Sequence, residues 1–119
     1  MLKRAQFSAC YDHGRKYFSK LFVLFVLPRD EAPHPVRIGL TVGKKVGNAV
    51  ARNRVKRVLR EFFRLSQDRF SCLADIVVVP KRTLDPQRFD LAQADGDLRP
   101  VMRRIMRDLA PTQAPLERS

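Results

Sequence analysis

Six cations crowd into the stretch from Arg52 to Arg64: Arg52, Arg54, Lys56, Arg57, Arg60 and Arg64, with Glu61 the one acid between them. Lys44 and Lys45 stand just ahead. Residues 44–64 hold eight basic residues and one acid, a net of +7 out of the +12 carried by all 119 residues. The positive field therefore has a direction. Arg outnumbers Lys seventeen to seven, and the planar guanidinium fork suits bidentate contact with phosphate. A helix face that meets only water interleaves acids three or four residues from its bases; this one has only Glu61. The chemistry to expect is capture of a polyanion, nucleic acid before an anionic membrane surface.

Other reactive groups are poorly placed for chemistry of their own. Two-metal phosphodiester hydrolysis needs converging carboxylates, and the nearest pairs, Asp30-Glu31 and Asp95-Gly96-Asp97, read as turn and cap residues. Cys10 and Cys72 have no metal-ligand spacing and read as reduced thiols of a cytosolic protein. His13 and His34 stand alone, so no catalytic or metal-binding side chain is expected. The run Leu21–Leu27, LFVLFVL, is too short to span a bilayer. The expected location is the cytoplasm.

The cationic segment needs elements to hold it. Asn48 after Gly47 is a good N-cap, and a helix follows to about Leu65. At 100° per residue, Ala51, Val55, Val58, Leu59 and Phe62 gather on one side. Asn53, Arg57, Arg60 and Arg64 lie opposite, with Arg52 and Lys56 on one edge and Arg54 on the other. Before this helix, Val36–Val42 alternates: Ile38, Leu40 and Val42 to one side, Arg37, Gly39 and Thr41 to the other. Phe22–Leu27 and residues 74–81, ADIVVVPK, read as strands buried on both faces. Residues 3–13 read as a short basic helix ended by Gly14, and residues 28–35 as a turn. Leu84–Gly96 reads as irregular, with Asp97 capping a last helix striped by Val101, Met102, Ile105, Met106 and Leu109.

The order is α-β-β-α-β-α in one domain, residues 1–110, with a frayed tail at 111–119. That is an α+β fold, a two-layer α/β sandwich in which helices pack on a small mixed sheet. A strand ahead of the basic helix excludes a helix-turn-helix, and the absence of heptads beyond Leu65 excludes a basic zipper. RNA is favoured over DNA. Phe7, Tyr11, Phe18, Phe22 and Phe25 lie near basic residues, and unpaired bases stack on such rings.

The run KKVGNAVARNRVKR, Lys44–Arg57, resembles the protein subunit of bacterial ribonuclease P, whose hallmark is Arg-Asn-Arg followed by x-Lys-Arg on a helix. Arg52, Asn53, Arg54, Lys56, Arg57 and Arg60 match it, after Lys44, Lys45, Gly47, Asn48 and Ala49. Phe7, Tyr11, His13 and Gly14 match the family's first helix, and FVLFVL and RIGLTV its first two strands. Gly43 stands where the family usually has Ser, and Gly96 and Pro100 interrupt a final helix that is usually more continuous.

The resemblance implies a subunit that is not itself the catalyst. A catalytic RNA removes the 5′ leader of precursor tRNA by magnesium-assisted hydrolysis, an endonuclease reaction, with Mg2+ held mainly by the RNA. Arg52, Asn53, Arg54, Lys56, Arg57 and Arg60, with Arg64 and Lys44 beside them, would bind the catalytic RNA. Phe7, Tyr11, Val23, Phe25 and Thr41, with Lys45 near them, would line a cleft for the single-stranded leader. The resemblance also implies a left-handed βαβ crossover. From charge and fold class alone, a general RNA-binding or ribosome-associated module is the alternative. No membrane or DNA partner is expected.

Overall fold

The computed structural model describes residues 4–28, 36–66 and 74–109. Helix α1 (Arg4–His13) leads into strand β1 (Arg15–Phe18), which turns back into β2 (Phe22–Pro28). Strand β3 (Val36–Leu40), a 3-10 turn (Lys44–Val46) and helix α2 (Ala49–Ser66) follow. Strand β4 (Ala74–Pro80) and helix α3 (Leu91–Leu109) complete the described chain. The sheet order is β1-β2-β4-β3, with β3 and β4 parallel and the other pairs antiparallel. The parallel pair is joined through α2, a βαβ unit built around the cationic helix.

Alternation along β2 and β4 gives the sheet two different faces. Phe22, Leu24, Val26, Ile76 and Val78 point into the main core. There they meet Val55, Leu59, Phe62 and Phe63 of α2 and Ala94, Leu98, Met102 and Ile105 of α3. Each large apolar side chain removed from water there contributes about 1.5–3 kcal/mol. On the other face Phe25, Leu27, Val77 and Val79 pack with Phe7 and Cys10 of α1. β2 is thus covered on both faces, fully by α2 and α3 and partly by α1. Ile38, Leu40 and Val42 join the main core as their alternation requires.

α1 stops where Gly14 donates to the carbonyl of Cys10 at 2.8 Å. A Cβ on Gly14 would collide with that same oxygen, so only glycine lets the chain turn directly into β1. Gly47 is the one described residue at strongly positive φ, +150°, and it releases the chain into α2. Asn48 caps that helix as expected: its Oδ1 accepts from the Ala51 amide at 2.9 Å.

Three expectations change. Arg15–Phe18 is a strand, an addition to the α-β-β-α-β-α order; its four residues pair with Val23–Val26 and bury only Tyr17. α3 begins at Leu91 rather than after Gly96, because Asp90 is the cap, accepting from the Gln93 amide at 2.9 Å. Asp97 has a tertiary task instead. Its carboxylate accepts from Ser19 Oγ at 2.6 Å and from the amides of Lys20 and Leu21 at 3.0 and 3.2 Å, fastening the β1–β2 turn to α3. Pro100 sits inside the helix opposite the carbonyl of Gly96; both residues are exposed, so the carbonyl deprived of its donor lies on the solvent side. The expected turn at 28–35 and the tail at 111–119 lie outside the described residues, apart from Pro28 at the end of β2.

Candidate nucleic-acid interface

α2 buries Val55, Leu59, Phe62 and Phe63 and turns its opposite side outward. Asn53, Arg57 and Arg60 are exposed, and among the described residues neither arginine meets a carboxylate. The other basic groups are not equivalent. Arg54 is pinned, its Nε donating to the backbone carbonyl of Pro86 at 3.0 Å. Arg52 is half-buried, and its Nε is enclosed with no hydrogen-bond partner among the described residues. Lys56 is half-buried; Lys44 and Lys45 are exposed on the 3-10 turn at the mouth of α2. Arg64 is forked onto Glu61, with contacts of 3.0 and 2.6 Å. The same bond holds the Glu61 carboxyl below its ordinary range and the Arg64 guanidinium above its own. The crest is therefore open at Arg57 and Arg60 and internally neutralised at Arg64.

The second group of expected residues gathers on the sheet face beneath α1. Tyr11 stands edge-on to Phe25 with ring centroids 4.9 Å apart, and its hydroxyl lies 2.8 Å from Thr41 Oγ1. Tyr11 is 40% exposed and Phe25 half-buried, so ring surface remains available. Phe7 is half-buried against the same cluster, and Val23 shares this face by alternation. Phe22 does not belong here. It points into the main core edge-on to Phe89, because even-numbered residues of β2 face α2 and α3.

The residue missed by sequence reasoning is Lys16. Its Nζ sits 5.7 Å from the centroid of the Phe25 ring, brought there by the pairing of Lys16 with Phe25 across β1 and β2. Only that strand register reveals it. On the same face of the sheet, Arg37 of β3 grips Asp75 of β4 through Nε and a terminal nitrogen at 2.7 and 2.8 Å. The two are paired across the parallel strands, and the bond fixes the floor on which α1 rests. Cys10 is fully buried there, its Sγ 3.7 Å from the Asp75 carbonyl oxygen. Burial, reinforced by the Asp75 charge, pushes its thiol up to about 11, so it is a packing group and not a nucleophile.

Asp95 and Asp97, a candidate acid pair, are occupied in structure. Asp95 pairs with Arg99 at 2.5 Å, and Asp97 holds the β1–β2 turn. The two do not converge on a shared ligand position. Among the described residues no three His, Cys, Asp or Glu side chains come together as a metal site. Asp30, Glu31, His34 and Cys72 lie outside the described residues.

Comparison with known proteins gives one answer at three levels. A family model described as Ribonuclease P matches residues 1–106. The ribonuclease P protein component of Oleidesulfovibrio alaskensis is 54% identical over 105 residues, covering 88% of this chain and 84% of the relative. That of Maridesulfovibrio salexigens is 48% identical over 105 residues, covering 88% and 85%. Among solved structures, the Staphylococcus aureus RNase P protein superposes with a TM-score of 0.75 at 30% identity, covering 88% of this chain and 93% of that one. The Thermotoga maritima RNase P protein, solved with 1-(4-fluorophenyl)-2-thiourea, gives 0.79 at 28% identity and covers 87% and 98%.

Proposed function

Since the chain belongs to the ribonuclease P protein family, we propose that it serves its ribonuclease through two separate RNA contacts, one for the catalytic RNA and one for the 5′ leader of precursor tRNA. The first is the crest of α2. Arg57 and Arg60, with Asn53, Arg52, Arg54 and Lys56 around them and Lys44 at the helix mouth, bind phosphates of the catalytic RNA; Arg64 contributes less while Glu61 holds it. A helix with one side locked into a core and the other unneutralised presents fixed charge with little ordering cost. Phosphate contacts of this kind set position and orientation without reading sequence.

The second contact is the face under α1. Phe25 and Tyr11 offer ring surface to unpaired bases, Phe7 and Val23 back them, and Thr41 and Lys45 stand at the rim. Such a surface holds single-stranded RNA with little base preference. Neutralising phosphates on both sides lets two polyanions, substrate and ribozyme, approach each other. Hydrolysis of the leader bond belongs to the RNA. Magnesium would be held there by phosphate oxygens, its preferred hard ligands. The work is done in the cytoplasm.

The single observation that carries this reading is the exposure of Arg57 and Arg60, with no carboxylate beside them among the described residues, on a helix whose other side buries Val55, Leu59, Phe62 and Phe63. The test is reconstitution. The protein, mixed with a bacterial ribonuclease P RNA at low magnesium, accelerates removal of the leader from precursor tRNA. Absence of acceleration points to a general RNA-binding module; cleavage by protein free of RNA would overturn the division of labour.

A further inference from the structure

The face that carries Phe25 does not end at Phe25. β1 alternates, with Tyr17 turned into the core and Lys16 and Phe18 turned the other way. Phe18 pairs with Val23 across the strands, and Val23 pairs in turn with Val79, whose neighbour two residues on is Lys81. Phe18, Val23, Val79 and Phe25 therefore share one side of the sheet. Phe18 is 55% exposed, more than any other described phenylalanine. An aromatic ring left so open on an edge strand contributes little to the core and costs solubility.

The arrangement at Phe25 is also repeated. Lys16 Nζ lies 5.7 Å from the Phe25 centroid, and Lys81 Nζ lies 5.5 Å from the Phe18 centroid. The second ammonium is fixed in place by donating to the Ser19 carbonyl at 2.6 Å. The turn that holds this backbone is itself clamped by Asp97. Ring plus cation occurs twice, on adjacent strands: Phe25 of β2 stands opposite Lys16, and Phe18 lies two residues beyond Lys16 on β1, a diagonal spacing on the order of 7–8 Å. That is a step one nucleotide of extended single-stranded RNA can make, with a base for each ring and a phosphate for each ammonium.

We infer that Phe18 and Lys81 form a second stacking position for single-stranded RNA, continuing the leader path from Phe25 across the sheet toward the β1–β2 turn. This rests on the leader-cleft reading and extends it by one ring. A polyanion is the occupant because each ring comes with an ammonium, and the whole chain carries +12. The energetic design is modular: each position adds one stacked base and one neutralised phosphate.

The test uses the reconstituted holoenzyme and a set of precursor tRNAs whose leaders lengthen one nucleotide at a time. Affinity rises in two steps with leader length. Phe25→Ala removes the earlier step, and Phe18→Ala removes only the later one, by about tenfold, the size of one stacked base. Phe18→Trp restores it, and mature tRNA binds all variants alike. If Phe18→Ala changes nothing while Phe25→Ala still separates leader-bearing from mature substrate, the second position falls and the cleft stands. If Phe25→Ala weakens all substrates equally, the cleft reading itself fails. An equal loss for every substrate with Phe18→Ala, or its abolishing self-association instead of leader binding, would make Phe18 a structural or protein-contact residue and overturn the inference.

Discussion

α2 and α3 are helices of similar length, 18 and 19 residues, packed side by side on the same sheet face, and both carry several arginines. Among the described residues, Arg99 and Arg107 of α3 meet acids and Arg104 donates to the Phe18 carbonyl at 3.1 Å, leaving Arg103 open, whereas Arg57 and Arg60 of α2 both stay open. On α3, Asp95 takes Arg99, and Asp108 accepts from the Tyr17 hydroxyl at 2.6 Å with Arg15 and Arg107 within 4 Å. Asp97 meanwhile binds the β1–β2 turn. Each acid of α3 is spent on holding the helix to itself or to the sheet. α2 has one acid, Glu61, and it engages only Arg64. Similar amphipathicity thus yields a fastening helix in one case and a charged rail in the other. What separates them is whether acids of the same chain reach the cations first.

The contrast is broken most severely by removing the rail. Arg57→Ala with Arg60→Ala should weaken binding to the catalytic RNA by about a hundredfold at low salt, taking about tenfold per charge-assisted contact. Folding stability should be unchanged, since both side chains are exposed. Filter binding and thermal melting check the two halves. Asp97→Ala should do the reverse. It strips the β1–β2 turn of its acceptor and should cost about 1–3 kcal/mol in denaturant unfolding, with the RNA salt dependence unaltered.

A pH series sharpens the account of α3. The Tyr17 hydroxyl donating to Asp108 holds that carboxyl below its ordinary range, and the neighbouring arginines push the same way. Its contribution to stability is present above the ordinary carboxylate pKa and is lost as pH falls through the depressed value. Burial and the bond to Asp108 push Tyr17 from 10.0 up to about 12. That contribution is complete below pH 10 and is lost as pH rises toward about 12. The melting-temperature gap between wild type and Asp108→Asn should therefore be widest near neutrality and close at both extremes. The smallest effect is expected at Glu61. Glu61→Gln releases Arg64 to the crest, and RNA affinity should rise about threefold, the scale of one exposed ion pair. A fall in affinity would place Arg64 off the RNA.

The rail was legible because its signal is local. Apolar residues at helical spacing and cations opposite fix which side of α2 is buried, and the Lys44–Arg57 run names the family. The fastening devices were not legible, because they join residues far apart. Tyr17 meets Asp108 across 91 positions, and Asp97 meets Ser19 across 78. Reading Asp97 as a cap followed from its neighbours Gly96 and Pro100; only the folded sheet shows that its carboxylate is needed elsewhere. The Lys16–Phe25 contact and the Arg37–Asp75 bridge depend in the same way on strand register. β1 left no trace because four residues with one buried side chain carry no period.

The central claim is that the open cations of α2, and not the paired ones of α3, meet RNA. Its most direct test is the salt dependence of binding to the catalytic RNA for two matched charge deletions: Arg57→Ala with Arg60→Ala on α2, and Arg99→Ala with Arg107→Ala on α3. The α2 pair should flatten the slope of log K against log salt by roughly 0.7–0.9 per lost contact, and the α3 pair should leave it at the wild-type value. Equal flattening by both pairs, or a change confined to α3, would contradict the account.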